Sequence, residues 1–169
     1  VTPQQGHRMA NVFNECASVV AQAVDPYEEM LKLEEDEKYD DALNLLEQNV
    51  SSGAIINDSL YHFLKARNLV KRERALEEHY EETQKIVFKE FDKACELSDD
   101  KQVSAYCDYW IAYWYHYTGQ TINARNGFIV AMDSPSEEMR DDAKEMLDVE
   151  EDALSEIWAK YTSEYEYKE

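Results

Sequence analysis

The chain has 169 residues, 44% of them hydrophobic and 32% charged, and its 37 acidic against 17 basic side chains give a formal net charge of −20. A chain of this length can bury a core large enough to hold its fold without a disulfide or a metal. No apolar run approaches the length of a membrane span, and the negative charge repels nucleic-acid phosphates and anionic lipids. We therefore expect a partner that is neither nucleic acid nor membrane.

Few residues interrupt regular structure, since the chain contains only four glycines and three prolines. That composition favours long helices over hairpins. Cys16, Cys95 and Cys107 are odd in number and unrelated in spacing, which is typical of buried thiols in a reducing compartment, so a cytoplasmic location is expected. Residues 1–8 look like a cloning remnant or a flexible terminus, and residues 9–169 are predicted to form a single domain.

The first third of the chain predicts three helices. Apolar residues recur at three- and four-residue steps between residues 12 and 24, which indicates a helix with one buried stripe. Asp25 and Pro26 then suit the cap and the first turn of a second helix. The charged residues 34–38 make a turn, and a third helix follows over residues 39–50.

The middle of the chain predicts two more helices. A Ser-Ser-Gly sequence at 51–53 ends the third helix, and Asp58 with its polar neighbours offers a cap for a fourth helix from about Leu60. The fourth helix runs into a highly charged segment, and its pattern leaves open whether it breaks near Glu77. A fifth helix is expected over residues 86–97.

The last third predicts three helices. The sixth contains an aromatic belt, residues 106–117, in which seven of the twelve side chains are Tyr or Trp. A turn at 118–120 leads to a seventh helix over 122–132, and the Ser-Pro-Ser-Glu sequence at 134–137 caps a long amphipathic eighth helix within residues 136–169. Its apolar stripe consists of Met139, Ala143, Met146, Leu147, Ala153, Leu154, Ile157, Trp158 and Tyr161. The fold class is therefore all-α, with about eight helices.

One stretch near the belt resembles a tetratricopeptide repeat. The matching positions are Tyr115, Gly119, Ala124, Phe128, Ala131 and Pro135. Residues 39–46 resemble the start of the second helix of the same repeat, through Tyr39, Ala42 and Leu46. The chain departs from the family at Asp108, where a Trp is usual, and at Ala112, which replaces a usual glycine. The resemblance implies antiparallel helix-turn-helix units stacked into a superhelix, with the long C-terminal helix as its cap.

A helical wheel divides the aromatic belt into two faces. One face is predicted to pack, and it consists of Cys107, Trp110, Ile111, Trp114 and Tyr115. The other lies where this family's ligand groove is found, and it consists of Tyr106, Tyr109, Tyr113, His116 and Tyr117. Tyrosine suits a groove because it offers a large contact area and a polar tip. The alternative is that all seven aromatic side chains belong to the core.

A basic stripe lies on the fourth predicted helix and consists of Lys65, Arg67, Lys71 and Arg74. The spacing places Arg67, Lys71 and Arg74 on one helical face. Acidic neighbours, including those on adjacent helices, can neutralise these cations within the fold. Alternatively, the stripe forms the charged end of the groove and selects an acidic or C-terminal carboxylate ligand, with Arg67 making a bidentate pair.

The chemistry of known catalytic sites is absent from the sequence. It contains no zinc-protease HExxH, no glycine-rich phosphate loop and no GxSxG nucleophile motif. No histidine follows a glutamate at the spacing that a di-iron bundle requires. We expect no enzyme activity, no metal and no cofactor, and we expect His62 and His79 to lie at the surface or in satisfied core positions.

The predicted function is that of a non-catalytic adaptor, which binds a peptide or protein segment in a Tyr-lined groove. Two alternatives stay open. One is a chaperone of secreted proteins, since the acidic chaperones of type III translocators are similar in length and charge. The other is an acidic decoy that occupies the basic cleft of a nucleic-acid-binding protein. The oligomeric state is left open.

Overall fold

The computed structural model describes residues 25–166, with side chains through residue 163, and this part of the chain forms seven helices and no strand. The helices are α1 (Glu28–Glu35), α2 (Tyr39–Ser51), α3 (Ser59–Leu76), α4 (Glu81–Glu96), α5 (Lys101–Tyr117), α6 (Thr121–Ala131) and α7 (Glu137–Glu166). The all-α prediction is confirmed for the described residues. The first predicted helix, residues 12–24, and the terminus 1–8 lie outside them.

The chain divides into two compact units, Val1–Val103 and Ser104–Glu169. The sequence predicted one domain from residue 9 onward, and that stays a prediction. Among the described residues, no helix is both long and apolar enough to cross a membrane.

In the first unit, helices that follow each other in the chain also pack against each other. Contacts join α1 to α2, α2 to α3, and α3 to α4. Because α3 lies between α2 and α4, it is buried on most of its circumference. Its buried side chains include polar ones, which is unusual for a helix interior.

The start of α3 is held by its cap, Asp58. The Asp58 carboxylate accepts a hydrogen bond from the backbone N–H of Tyr61 at 2.8 Å, which confirms the predicted cap. The same carboxylate accepts the hydroxyl of Tyr27 at 2.7 and 2.8 Å. Burial, together with this carboxylate, raises the pKa of Tyr27. The residue before α1 is thereby tied to the first turn of α3.

Four residues that follow helices have left-handed backbone, and the first is Glu37 after α1, with φ of 60°. Glu77 has φ of 53° directly after α3, so the break that the sequence left open does occur there. Gly53 after α2 has φ of 80° and Gly119 after α5 has φ of 77°. Glycine adopts this conformation without the steric cost that a Cβ brings. The turns predicted at these two glycines are confirmed.

The second unit consists of α6 and α7, which pack together, and the part of α5 from residue 104 onward. A Cβ built on Gly127 of α6 would lie 2.7 Å from Cβ of Ala112 in α5. The missing side chain therefore lets these two helices approach closely. Ser136 caps α7, since its Oγ accepts the backbone N–H of Met139 at 3.4 Å.

Candidate functional site

The aromatic belt is buried on both of its predicted faces. Trp110 and Trp114, predicted to pack, are each 1% exposed, and Tyr109, predicted to line a groove, is also 1% exposed. Tyr106 and Tyr113 are buried as well. Buried rings offer no surface to a ligand, so the assignment of these three tyrosines to an open groove is corrected: they lie in the packed interior.

Ring contacts within the second unit hold part of the belt. The Tyr109 ring lies edge-on to Phe128 of α6, with centroids 5.5 Å apart. The Trp110 ring meets Tyr113 edge-on, also at 5.5 Å. Edge-on contacts between aromatic rings are favourable beyond the area that they bury. These tyrosines therefore stabilise the packing of α5.

The two remaining groove candidates are half-buried. His116 Nδ1 contacts the carboxylate of Glu150, a buried residue of α7, so His116 links α5 to α7. The Tyr117 ring lies 6.1 Å from that of Trp114. Ile111 and Tyr115, predicted to pack, are only half-buried. Exposure along the belt therefore differs from the sequence division on both faces.

The basic stripe is directed inward at its centre. Arg67 is fully buried, and its Nε donates to Oε2 of Glu34 at 2.8 Å while its Nη2 donates to Oε1 of the same carboxylate. The guanidinium also lies over the Phe63 ring, 5.2 Å from the centroid. The bidentate pair that one of the two sequence interpretations gave to a ligand is made with Glu34 of α1, as the other interpretation expects of acidic neighbours on adjacent helices. The proposed ligand-binding role of Arg67 is corrected, because its fork is occupied by Glu34.

Lys71, one turn further along α3, belongs to the same cluster. Its Nζ lies 3.7 Å from Oε2 of Glu34. We call Glu34, Arg67 and Lys71 the buried charge cluster. Burial lowers the pKa of Lys71 to about 8, because the opposing effect of the Glu34 carboxylate is smaller and the Arg67 charge adds to the lowering.

The pKa of Lys65, on the same helix, is shifted in the opposite direction. Its Nζ lies 3.3 Å from Oε1 of Glu47 in α2 and 3.6 Å from Oε1 of Glu90 in α4. Although burial lowers the pKa of Lys65, the carboxylates outweigh it, and the pKa is raised. Arg74, the last member of the basic stripe, is exposed.

The histidine in α3 occupies a satisfied core position. His62 is buried, and its two ring nitrogens contact the side chains of Glu90 and Asn57. This confirms the interpretation of His62 made from the sequence. His79 is exposed, in the turn before α4. Among the described residues, no group of three or more His, Cys, Asp and Glu side chains has the arrangement to hold a metal ion.

Cavities occur in the first unit. One of about 400 Å³ lies beside the buried charge cluster, and its lining includes Glu34, Lys71 and Arg74. A neighbouring cavity of about 350 Å³ shares residues with it. A third, of about 480 Å³, lies between α1 and α2. The sequence did not indicate the first cavity, since its walls come from three helices and a turn.

The long helix α7 exposes the outer half of its apolar stripe. With 30 residues, α7 is about 45 Å long, whereas the 11 residues of α6 span about 16 Å. Met139 and Ala143 of the inner half are fully buried, but Ile157, Trp158 and Tyr161 are 59%, 66% and 56% exposed. We call these three residues the outer apolar face.

The outer apolar face continues the buried stripe without a change of helical phase, since its residues follow the same three- and four-residue steps. The Trp158 and Tyr161 rings stack on each other with centroids 5.9 Å apart. The sequence placed the whole stripe on the apolar face of a capping helix. Its outer half is exposed in the structure, since the 11 residues of α6 extend along only part of the 30 residues of α7. The signal was the difference in length between the two helices.

Comparison with known proteins identifies no relative. No family model, no curated protein and no solved structure matches the chain. The tetratricopeptide resemblance therefore stays a prediction that rests on the residues that carry it.

Proposed function

We propose that the chain is a non-catalytic protein–protein interaction module, and that its outer apolar face binds a basic amphipathic helix of a partner protein. The observation that carries this proposal is the exposure of Ile157, Trp158 and Tyr161 on one side of α7. Large apolar side chains grouped on a surface are typical of interaction sites. Trp and Tyr are also the residues that contribute most to binding when a partner buries them.

The form of the partner follows from the geometry of the surface. The outer apolar face is a narrow stripe along a straight helix, and a second helix can bury such a stripe by packing its own apolar ridge against it. A flat or irregular partner would cover less of the stripe. We therefore assign an amphipathic helix as the ligand.

The charge of the partner follows from the charge of α7 and its surroundings. Residues 133–169 contain 14 acidic and four basic side chains, which makes a net charge of −10. Within the described side chains of α7, Asp152 and Glu156 make no hydrogen bond or ion pair. A basic helix is attracted by this field, whereas a second copy of this chain would bring a further −20 and be repelled.

The same proposal includes a fold of stacked helix-turn-helix units of the tetratricopeptide kind. It also includes a cytoplasmic location. Consecutive packing from α1 to α4 supports the fold, and so does the close approach of Ala112 and Gly127. A ligand groove on the belt is not proposed, because Tyr106, Tyr109 and Tyr113 are buried.

The proposal is tested with three synthetic peptides of equal length. The first is a Leu/Lys helix with leucines at three- and four-residue steps, the second has the same composition in scrambled order, and the third replaces Lys by Glu. We expect measurable binding of the first peptide alone, monitored by a blue shift of Trp158 fluorescence. Equal binding of the scrambled peptide would mean that only charge is recognised, as in the decoy alternative.

A matched pair of variants locates the surface. Ile157→Ala should weaken binding of the Leu/Lys peptide by roughly tenfold, as expected when an interface loses a large apolar side chain. Ile122→Ala removes an isoleucine that is 63% exposed on α6, outside the outer apolar face, and should leave binding unchanged. If both variants bind as the wild type does, the partner does not use the outer apolar face.

Salt dependence of binding and acrylamide quenching distinguish the other molecules that could cover the outer apolar face. Raising the salt concentration from 0.05 to about 0.5 M should weaken the Leu/Lys peptide only partly, because apolar contact is not screened. Acrylamide should quench Trp158 fluorescence in the free protein at every protein concentration. Protection that grows with concentration would point to a second copy on the outer apolar face, and protection at all concentrations to another segment of the same chain.

A further inference from the structure

One lysine lies both in the buried charge cluster and in the lining of a cavity. Lys71 is 8% exposed, and it lines the cavity of about 400 Å³ in the first unit. This volume is within the range of cavities that accept small molecules. The lining residues are Glu34, Glu35, Glu37, Tyr39, Lys71, Arg74 and Ala75.

Burial favours the neutral amine of Lys71, while its charged neighbours act in both directions. From α1 it faces the Glu34 carboxylate, which Lys71 shares with Arg67 and which raises the pKa of Lys71. Arg67 and Arg74 lie one turn before and one turn after Lys71 on α3, and each repels a protonated amine. Burial acts in the same direction and is the largest cause of the lowered pKa, which is about 8.

The other groups that line the cavity lie at the α1–α2 corner. Glu35 and Glu37 are exposed there, and Tyr39 at the start of α2 is half-buried. Exposed carboxylates are screened by water and salt, so they oppose the effect of Arg67 and Arg74 only weakly.

We propose that Lys71 and Arg74 form a binding site for a small oxo acid, which Lys71 holds as a reversible imine while Arg74 pairs with the carboxylate. The neutral Nζ of Lys71 attacks the carbonyl carbon and forms a C–N bond. The carbonyl oxygen then leaves as water with the two protons of the amine, so no oxidant or reductant is needed. Lysines that are desolvated or lie next to another cation are the ones that form such imines in proteins.

The proposal is tested by trapping. The protein is incubated with glyoxylate and cyanoborohydride at pH 7.5, and the modified lysines are identified by peptide mass spectrometry. At this pH a lysine with a pKa of about 8 has on the order of a hundredfold more neutral amine than an ordinary lysine. Allowing for its lower intrinsic nucleophilicity, we expect Lys71 to be trapped at least about tenfold faster than exposed lysines such as Lys32 and Lys85.

Lys65 is the matched control, since it lies on the same helix and has a raised pKa. It should be trapped more slowly than the exposed lysines. The rate at Lys71 should rise with pH to a plateau above about 8, while that of the exposed lysines should continue to rise. Trapping of Lys71 no faster than Lys32, or only in denaturant, would overturn the proposal.

Arg74→Gln tests the second half of the site, and propionaldehyde is the probe without a carboxylate. In the wild type, glyoxylate should trap Lys71 faster than propionaldehyde does. In Arg74→Gln that preference should fall by roughly fivefold or more, because the pairing with the carboxylate is lost. An unchanged preference would overturn the role of Arg74 and the assignment of an oxo acid. None of these outcomes bears on binding at the outer apolar face.

Discussion

Helices α3 and α5 are both largely buried, but their buried side chains differ. Those of α3 include six polar or charged side chains among apolar ones, and some of these pair with other helices, as Arg67 does with Glu34 and His62 with Glu90. The interior of α5 is aromatic, and it packs by ring contacts such as that of Tyr109 with Phe128.

Helices α3 and α5 should tolerate substitutions differently. Apolar packing is additive and non-directional, so a loss in α5 should scale with the volume removed. A buried ion pair is different, because removal of one partner leaves an uncompensated charge, whereas removal of both can be neutral. Single and double variants should therefore rank differently in the two helices.

The largest effect is expected in the buried charge cluster. Arg67→Met should lower the free energy of unfolding by about 3–5 kcal/mol, because Glu34 loses its bidentate partner in a buried site. Urea denaturation measures the change. The triple variant Arg67→Met/Glu34→Leu/Lys71→Met removes the whole buried charge cluster and should recover most of the loss. A triple variant as unstable as Arg67→Met would show that losses in α3 scale with the volume removed, as in α5.

In the aromatic belt, Tyr109→Ala should lower the free energy of unfolding by about 3–4 kcal/mol, as other large core deletions do. The matched control is Tyr161→Ala on α7, which removes a tyrosine that is 56% exposed and should cost no more than about 0.5 kcal/mol. Thermal and urea unfolding give both values. Equal small effects would restore Tyr109 as a candidate for an open groove.

The helix contact at Gly127 tests how tightly α5 is packed. Gly127→Ala should cost about 1–3 kcal/mol, because the new Cβ would lie 2.7 Å from Cβ of Ala112. Ala112→Gly in the same chain should relieve the clash. Gly119→Ala is the contrasting control, since it meets open space and should cost about 1 kcal/mol through its positive φ alone.

The pH dependence of stability should distinguish two lysines of α3. The pKa of Lys71 is lowered to about 8 in the folded state, so between pH 8 and 10.5 the unfolded chain binds more protons and this group makes stability rise with pH. Lys71→Met should therefore gain on the order of 1–3 kcal/mol over the wild type below pH 8, and the gain should shrink as pH rises towards 10.

The control for this profile is Lys65→Met. The folded-state pKa of Lys65 is raised, so its contribution is fully present below the unfolded pKa and is lost only as pH passes through the higher folded value. Its difference from the wild type should stay flat between pH 8 and 10. The same pH dependence of stability in both variants would contradict a lowered pKa at Lys71 and a raised pKa at Lys65.

The smallest effect is expected at the outer end of α7. Trp158→Ala should change the free energy of unfolding by no more than about 0.5 kcal/mol, because the side chain is 66% exposed. Trp110→Ala, the same substitution in α5, should cost about 3–5 kcal/mol. A comparable loss at Trp158 would mean that the outer apolar face is covered in solution.

The all-α class and several helix boundaries could be predicted from the sequence alone. Apolar periodicity and the scarcity of glycine and proline indicated an all-α chain, and local chemistry located the cap at Asp58 and the turn at Gly119. It also determined that Trp110 and Trp114 are core residues. These features depend on interactions within a few residues along the chain, which a sequence displays directly.

Which surfaces are exposed could not be predicted from the sequence, because exposure depends on contacts between distant residues. Whether Arg67 is available to a ligand depends on Glu34, 33 residues away on another helix. Whether Tyr109 is open depends on Phe128 beside it, and whether Ile157 is covered depends on where α6 ends. A periodic pattern shows which face of a helix is apolar, but burial is a property of the neighbours that reach that face, and those neighbours come from distant parts of the chain.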